Sequence, residues 1–301
     1  MVVLAERFRH CLWSQKDGFN SHTSPILTKK GFEMSFERYN DLLVYANLSK
    51  MIYFDEIRFK IELIKSHLSV SFLSWIENKE TNTQCAFIKY NNKLILVFRG
   101  TTPISSDIKE FFNDIETNIN FKLKNSKFKN ENYKVHSGFL KCYLSIKDQI
   151  VQFLGLTKEL IIIGHSLGGA LGHVAALNLK NEEKLNNNLF IRCYTFASPK
   201  VGDENFVKLS DKNYRSLNVI NVQDPIPCLP QNIFGYCNLG HELLLGKNNC
   251  YIKSLKVHAI VKYIELINNT IIQSNLHRNL KYQKFRFKIL SKIKCIIRKI
   301  F

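Results

Sequence analysis

A serine between two glycines, in Gly164-His165-Ser166-Leu167-Gly168, constrains this chain more than any other stretch. Leu160-Ile161-Ile162-Ile163 precedes it, a short β-branched apolar run bounded by glycine, which predicts a buried strand. Gly169 to Leu177 follows as a run of small and apolar residues, which predicts a helix. The serine therefore falls on a sharp strand-to-helix turn. Side chains at 164 and 168 would collide across such a turn, so only tiny residues fit there. The helix start aims N–H groups and partial positive charge at whatever meets the serine. A serine so placed suits a nucleophile; the plainer alternative is an N-cap serine, which the flanking context disfavours.

The rest of the chain agrees with an α/β layout. Residues 1–34 lack periodicity and are expected to form an irregular N-terminal extension. From Ser35 to about Leu68, Leu42, Leu43, Tyr45, Ala46, Leu48, Met51 and Ile52 recur at helical spacing, which predicts one or two helices. Strands are expected at 69–76, Cys85–Tyr90, Leu94–Phe98, Phe190–Phe196 and Leu217–Val222, and helices at Gly138–Leu154 and from about Ser254. Strands alternating with helices argue for a mostly parallel central sheet with helices on both faces, filling residues 35–272.

A serine nucleophile needs a base, a carboxylate to orient that base, and donors for an oxyanion. Asp224 directly follows a predicted strand, and Pro225 and Pro227 would fix its loop. Asp203 and Asp211 are rivals in polar stretches away from a clean strand end. Among the later histidines, His258 opens an amphipathic segment; His241 sits in a Gly-His-Glu turn and His277 in a basic tail. Phe98-Arg99-Gly100-Thr101 leaves another strand, so Thr101 and the backbone N–H of Leu167 are candidate oxyanion donors.

These blocks together resemble the class 3 (fungal triacylglycerol-type) lipase family of the α/β-hydrolase superfamily. The matching pieces are Val97-Phe98-Arg99-Gly100-Thr101, Val135 to Phe139, Gly164 to Gly169, Thr195 to Asp203, Asp224 to Pro230, Tyr236 with Gly240 and Glu242, and His258 with Tyr263 five residues on. The resemblance covers roughly residues 40–270. It implies Ser166 as nucleophile, Asp224 as triad acid, His258 as base, and Thr101 and Leu167 as the oxyanion hole, with no metal or organic cofactor. His136 and His165 match family positions that look structural. Val257 stands where the family often has Asp, and Asn238 where it often has His. The implied activity is hydrolysis of glycerolipid acyl esters; the alternative is a catalytically silent lipid- or membrane-binding module. The family also has a lid after its first oxyanion block. Ile104, Ile108, Phe111 and Phe112 would give that segment, 104–112, one apolar face, although a fixed surface helix fits as well.

Charge singles out the C-terminal end. The net charge is +18, and nine basic residues fall within 278–301, after the last acidic residue, Glu265. Ile289, Ile293, Ile296 and Ile300 follow a helical spacing against those charges, so the tail 273–301 is expected to be a basic amphipathic helix suited to an anionic membrane surface. It could instead pack on the domain; nucleic-acid binding is the least favoured of the three readings. The eight cysteines form no Cys-x-x-Cys pair. The first residues hold too short an apolar run for a signal peptide, and no stretch reaches the ~20 apolar residues of a spanning helix. Free thiols and an intracellular setting, cytoplasmic or peripheral to a membrane, are therefore expected.

Overall fold

A computed structural model of the chain describes residues 36–101, 122–155, 157–185, 188–246 and 255–273. The strands are β1 Val70–Asn78, β2 Thr83–Tyr90, β3 Lys93–Phe98, β4 Leu123–Phe128, β5 Glu131–His136, β6 Glu159–His165, β7 Phe190–Phe196, β8 Arg215–Asn221 and β9 Glu242–Leu245. Seven of them form one sheet in the order β1-β2-β3-β6-β7-β8-β9, while β4 and β5 pair as a separate hairpin. Pairing is antiparallel from β1 to β3 and parallel from β3 to β9.

The sheet is covered on both sides because its central strands are apolar in both phases. In β3, Leu94, Leu96 and Phe98 join one hydrophobic cluster, and Ile95 and Val97 the other. In β6, Leu160 and Ile162 face the first cluster, and Ile161 and Ile163 the second. The first is closed by α3 Ser137–Leu144, α4 Lys147–Leu154, α5 Leu167–Lys180 and α6 Glu204–Asn213. The second is closed by α1 Phe36–Met51, α2 Glu56–Lys65 and a helix α7 over 260–273. In α1, buried Tyr39, Leu42, Tyr45, Ala46 and Ser49 make one stripe at helical spacing. Asp55 separates α1 from α2 by capping the latter, its carboxylate accepting from the Arg58 N–H at 2.9 Å.

Three features differ from the sequence expectation. The single helix predicted over Gly138–Leu154 is two, α3 and α4. Its break is made by Ser145, whose hydroxyl bonds Thr81 Oγ1 and the Cys142 carbonyl oxygen, each at 2.7 Å. The β4–β5 hairpin was not expected, because only Phe128, Tyr133, Val135 and His136 of its twelve strand residues are buried. Nor was β9, a strand of four residues. The extension 1–34, the lid segment 104–112 and the tail after Gln273 lie outside the described residues.

Buried histidines give the fold an acid-sensitive core. His173, inside α5, accepts from the Tyr214 hydroxyl at Nδ1 (3.0 Å) and donates from Nε2 toward Thr195 Oγ1 and Asn218 Oδ1. His136 caps α3, its Nδ1 accepting from the Gly138 and Phe139 N–H groups. Burial lowers the pKa of His136, His165 and His173 from 6.5 to about 4, about 3 and about 4. Below pH 6.5 the unfolded chain thus takes up protons that the folded chain refuses. Stability is full above that pH and is lost as pH falls toward the folded-state values. Each histidine should contribute about 2–3 kcal/mol of this loss between pH 7 and pH 4.5. Urea unfolding midpoints across that window measure it, with a shallower slope expected for His173→Gln.

Candidate active site

The turn at Ser166 is set by glycine on both sides. A Cβ on Gly164 would lie 2.3 Å from the Gly168 carbonyl oxygen, and one on Gly168 would lie 2.4 Å from that of Phe98. The end of β6, the start of α5 and the end of β3 therefore meet backbone to backbone. Gly164→Ala is expected to cost about 3 kcal/mol, since only backbone stands in the way; chemical denaturation would read this. Ser166 itself has φ 57° and ψ −127°, a conformation non-glycine residues rarely hold. It is fixed by its N–H bond to the Phe196 carbonyl at 2.9 Å and by the Gly169 and Ala170 N–H groups on its own carbonyl. The strained turn presents Oγ at the C-terminal edge of the parallel strands.

Residues distant in sequence converge there. His258 Nε2 lies 2.9 Å from Ser166 Oγ, across 92 residues. His258 Nδ1 lies 2.7 Å from Asp224 Oδ2. Relative exposures are 7% for Ser166, 4% for Asp224 and 5% for His258, so water screens these contacts little. Asp224 sits in the loop after β8, as its place after a strand suggested. Its Oδ1 accepts from the Ile226 N–H at 3.0 Å, and its Oδ2 also accepts from the Tyr263 hydroxyl at 2.7 Å. His258 is not yet helical: it lies in the turn between a 3-10 segment, Leu255–Val257, and α7.

The rival residues stand elsewhere. Asp203 caps α6, accepting from the Phe206 N–H at 2.9 Å. Asp211 lies within α6, and His241 precedes β9 at the strand's N-terminal end. His277 is outside the described residues.

The oxyanion candidates flank the serine. Leu167 opens α5, so its N–H has no acceptor within the helix. Thr101 is exposed and follows Gly100, where a Cβ would lie 2.6 Å from the His165 carbonyl oxygen. That close approach sets the loop after β3 beside the residue preceding Ser166.

Several site residues carried no role in the sequence reading. Tyr263, one turn into α7, bridges the Asp224 carboxylate and the Asn221 N–H, from which its oxygen accepts at 3.1 Å. Its place five residues after His258 was visible, but its hydrogen bonds were not. Asn221, at the end of β8, donates from Nδ2 to the Val257 carbonyl oxygen at 2.9 Å. His165 meets the Tyr53 hydroxyl at 2.8 Å and the His258 carbonyl oxygen at 2.8 Å. Nothing local in the sequence marks Tyr53, because its partner is 112 residues away.

Comparison with known proteins agrees with this layout. Residues 95–234 match the family model Lipase (class 3). A lipase of Rhizomucor miehei is 32% identical over 182 residues, covering 56% of this chain and 46% of the relative. Phospholipase A1-IIgamma of Arabidopsis thaliana is 27% identical over 203 residues, covering 58% of this chain and 47% of the relative. The chain spans about half the length of these curated relatives. The solved Rhizomucor miehei lipase propeptide complex superposes with a TM-score of 0.56 at 22% identity, over 78% of this chain and 79% of that one. That likeness carries the α/β-hydrolase fold, and residues 95–234 are similar in sequence to the class 3 lipase family.

Proposed function

We propose that the chain is a serine ester hydrolase that cleaves acyl esters of glycerolipids through an acyl-enzyme on Ser166. The observation that carries this reading is the hydrogen-bonded series from Ser166 Oγ to His258 Nε2 and from His258 Nδ1 to Asp224 Oδ2, at 2.9 and 2.7 Å. His258 takes the hydroxyl proton as Ser166 attacks the ester carbonyl. Asp224 holds the Nδ1 proton, which leaves Nε2 free to act as the base. The Leu167 N–H and Thr101 donate to the oxyanion of the tetrahedral intermediate. His258 then returns the proton to the departing alcohol, and water, deprotonated the same way, frees the acid. Relatives named lipase and phospholipase A1 support the glycerolipid class.

The same proposal places the reaction at an anionic lipid surface, with residues 273–301 as the attachment. Their spacing of isoleucines against lysines and arginines supports this, each basic residue contributing at most about 1 kcal/mol near such a surface. Among the described residues no helix is long and apolar enough to cross a membrane. Among the described residues, Cys85, Cys142, Cys193 and Cys237 are free thiols, which supports an intracellular setting.

The test couples labelling to turnover. A fluorophosphonate probe should modify the protein once, at the peptide bearing Ser166, and ester hydrolysis should vanish in proportion to labelling. Vesicle binding without any labelling or hydrolysis would mark a silent lipid-binding module instead. A panel of triacylglycerol, diacylglycerol, lysophospholipid and short-chain esters then ranks the substrates.

A further inference from the structure

His258 lies in the turn that follows the 3-10 segment Leu255–Val257. Two side chains reach the carbonyl oxygens on either side of it. Asn221 Nδ2 donates to the Val257 carbonyl oxygen at 2.9 Å, and His165 Nε2 donates to the His258 carbonyl oxygen at 2.8 Å. These oxygens belong to the two peptide units on either side of the His258 Cα. Pinning both leaves the imidazole little freedom beyond its own side-chain torsions.

The His165 ring is suited to this task. A carbonyl can only accept, so Nε2 carries the proton, and bare Nδ1 accepts from the Tyr53 hydroxyl at 2.8 Å. Burial keeps the ring neutral, with a pKa of about 3. The two rings lie side by side, with centroids 4.8 Å apart. Tyr53 sits in the turn between α1 and α2, and its hydroxyl occupies the space a Cβ on Gly100 would need. The pin therefore starts in one loop, passes through the residue beside Ser166, and ends on the backbone of the base.

We propose that His165 is a positioning residue: through Nε2–H it sets the main-chain position of His258, with Asn221 as the second pin and Tyr53 as the group that fixes the His165 tautomer. This deepens the ester-hydrolase reading and rests on it for its kinetic arm.

His165→Leu keeps the bulk and removes the donor, whereas His165→Gln returns an N–H near the position of Nε2. His165→Leu should lower kcat by about 30-fold with KM within about twofold, because a small displacement of the base acts on the transition state and not on ground-state binding. His165→Gln should recover most of that loss. Tyr53→Phe, which keeps nearly all the packing, should lower kcat by a few-fold in the same direction.

A second readout needs no substrate: the far-downfield proton resonance of the His258–Asp224 hydrogen bond. It should be kept in His165→Gln and shifted or broadened in His165→Leu and Tyr53→Phe. If the wild-type protein hydrolyses no ester, the functional reading fails while this resonance still decides the pin. Equal kinetic losses in the Leu and Gln variants, a change in KM alone, or an unmoved resonance in both His165→Leu and Tyr53→Phe would overturn the proposal.

Discussion

Ser166→Ala should lower kcat on ester substrates by about 10⁵-fold and abolish fluorophosphonate labelling. Among the described residues, the Ser166 hydroxyl is the one that meets His258 Nε2, at 2.9 Å, where α5 starts. Removal of the nucleophile costs nearly as much as removal of the whole triad, because the rest of the relay then has nothing to activate. A residual acceleration over water, roughly 10³-fold, should survive from the oxyanion donors and substrate binding. The fold should be almost untouched. Ser166 makes its cap contacts through its backbone, and alanine at φ 57° carries the same strain. Thermal unfolding should therefore give a midpoint within a few degrees of the wild type. An alanine variant retaining more than about 1% of wild-type turnover would mean that Ser166 is not the nucleophile.

The serine was legible because the signs that mark it are local, even though Phe98 and Phe196 also fix its turn. A strand, two glycines and a helix start lie within one short window, and steric necessity writes the glycines into the sequence. The strand phases were legible for the same reason: Ile95 and Val97 alternate with Leu94, Leu96 and Phe98, and each set finds its own core. The β4–β5 hairpin was not legible, since Lys124, Asn125, Lys127 and Lys134 face solvent and leave too few buried positions to print a pattern. The pins on His258 were invisible for a different reason. His165 and Asn221 act on carbonyl oxygens, which every residue carries, so the sequence of the acceptor says nothing. This also bears on Val257, where the family often has Asp. Asn221 grips the carbonyl of that residue, so this contact survives a change of its side chain.

The harder test falls on Asp224, whose replacement by asparagine should lower the rate of serine phosphonylation by about 10⁴-fold. The carboxylate is purely an acceptor here. Oδ1 receives the Ile226 N–H, and Oδ2 receives both the His258 Nδ1–H and the Tyr263 hydroxyl. An asparagine has one acceptor and one donor end. With its oxygen toward Ile226, its NH₂ faces His258 Nδ1 and drives the ring proton to Nε2, where it blocks transfer from Ser166. With the amide reversed, NH₂ opposes the Ile226 N–H and leaves two buried donors in conflict. That second orientation keeps the proton on His258 Nδ1 only at the cost of the clash with Ile226, so the first prevails and the base is lost. Tyr263→Phe provides the comparison, since it removes one donor to the same oxygen without changing the tautomer. Its rate should fall by about tenfold, the scale of one hydrogen bond to a charged group. Losses of similar size in the two variants would show that the Asp224 carboxylate is one acceptor among several and not the group that fixes the proton on His258. A gap of about a thousandfold between them is what tautomer control requires.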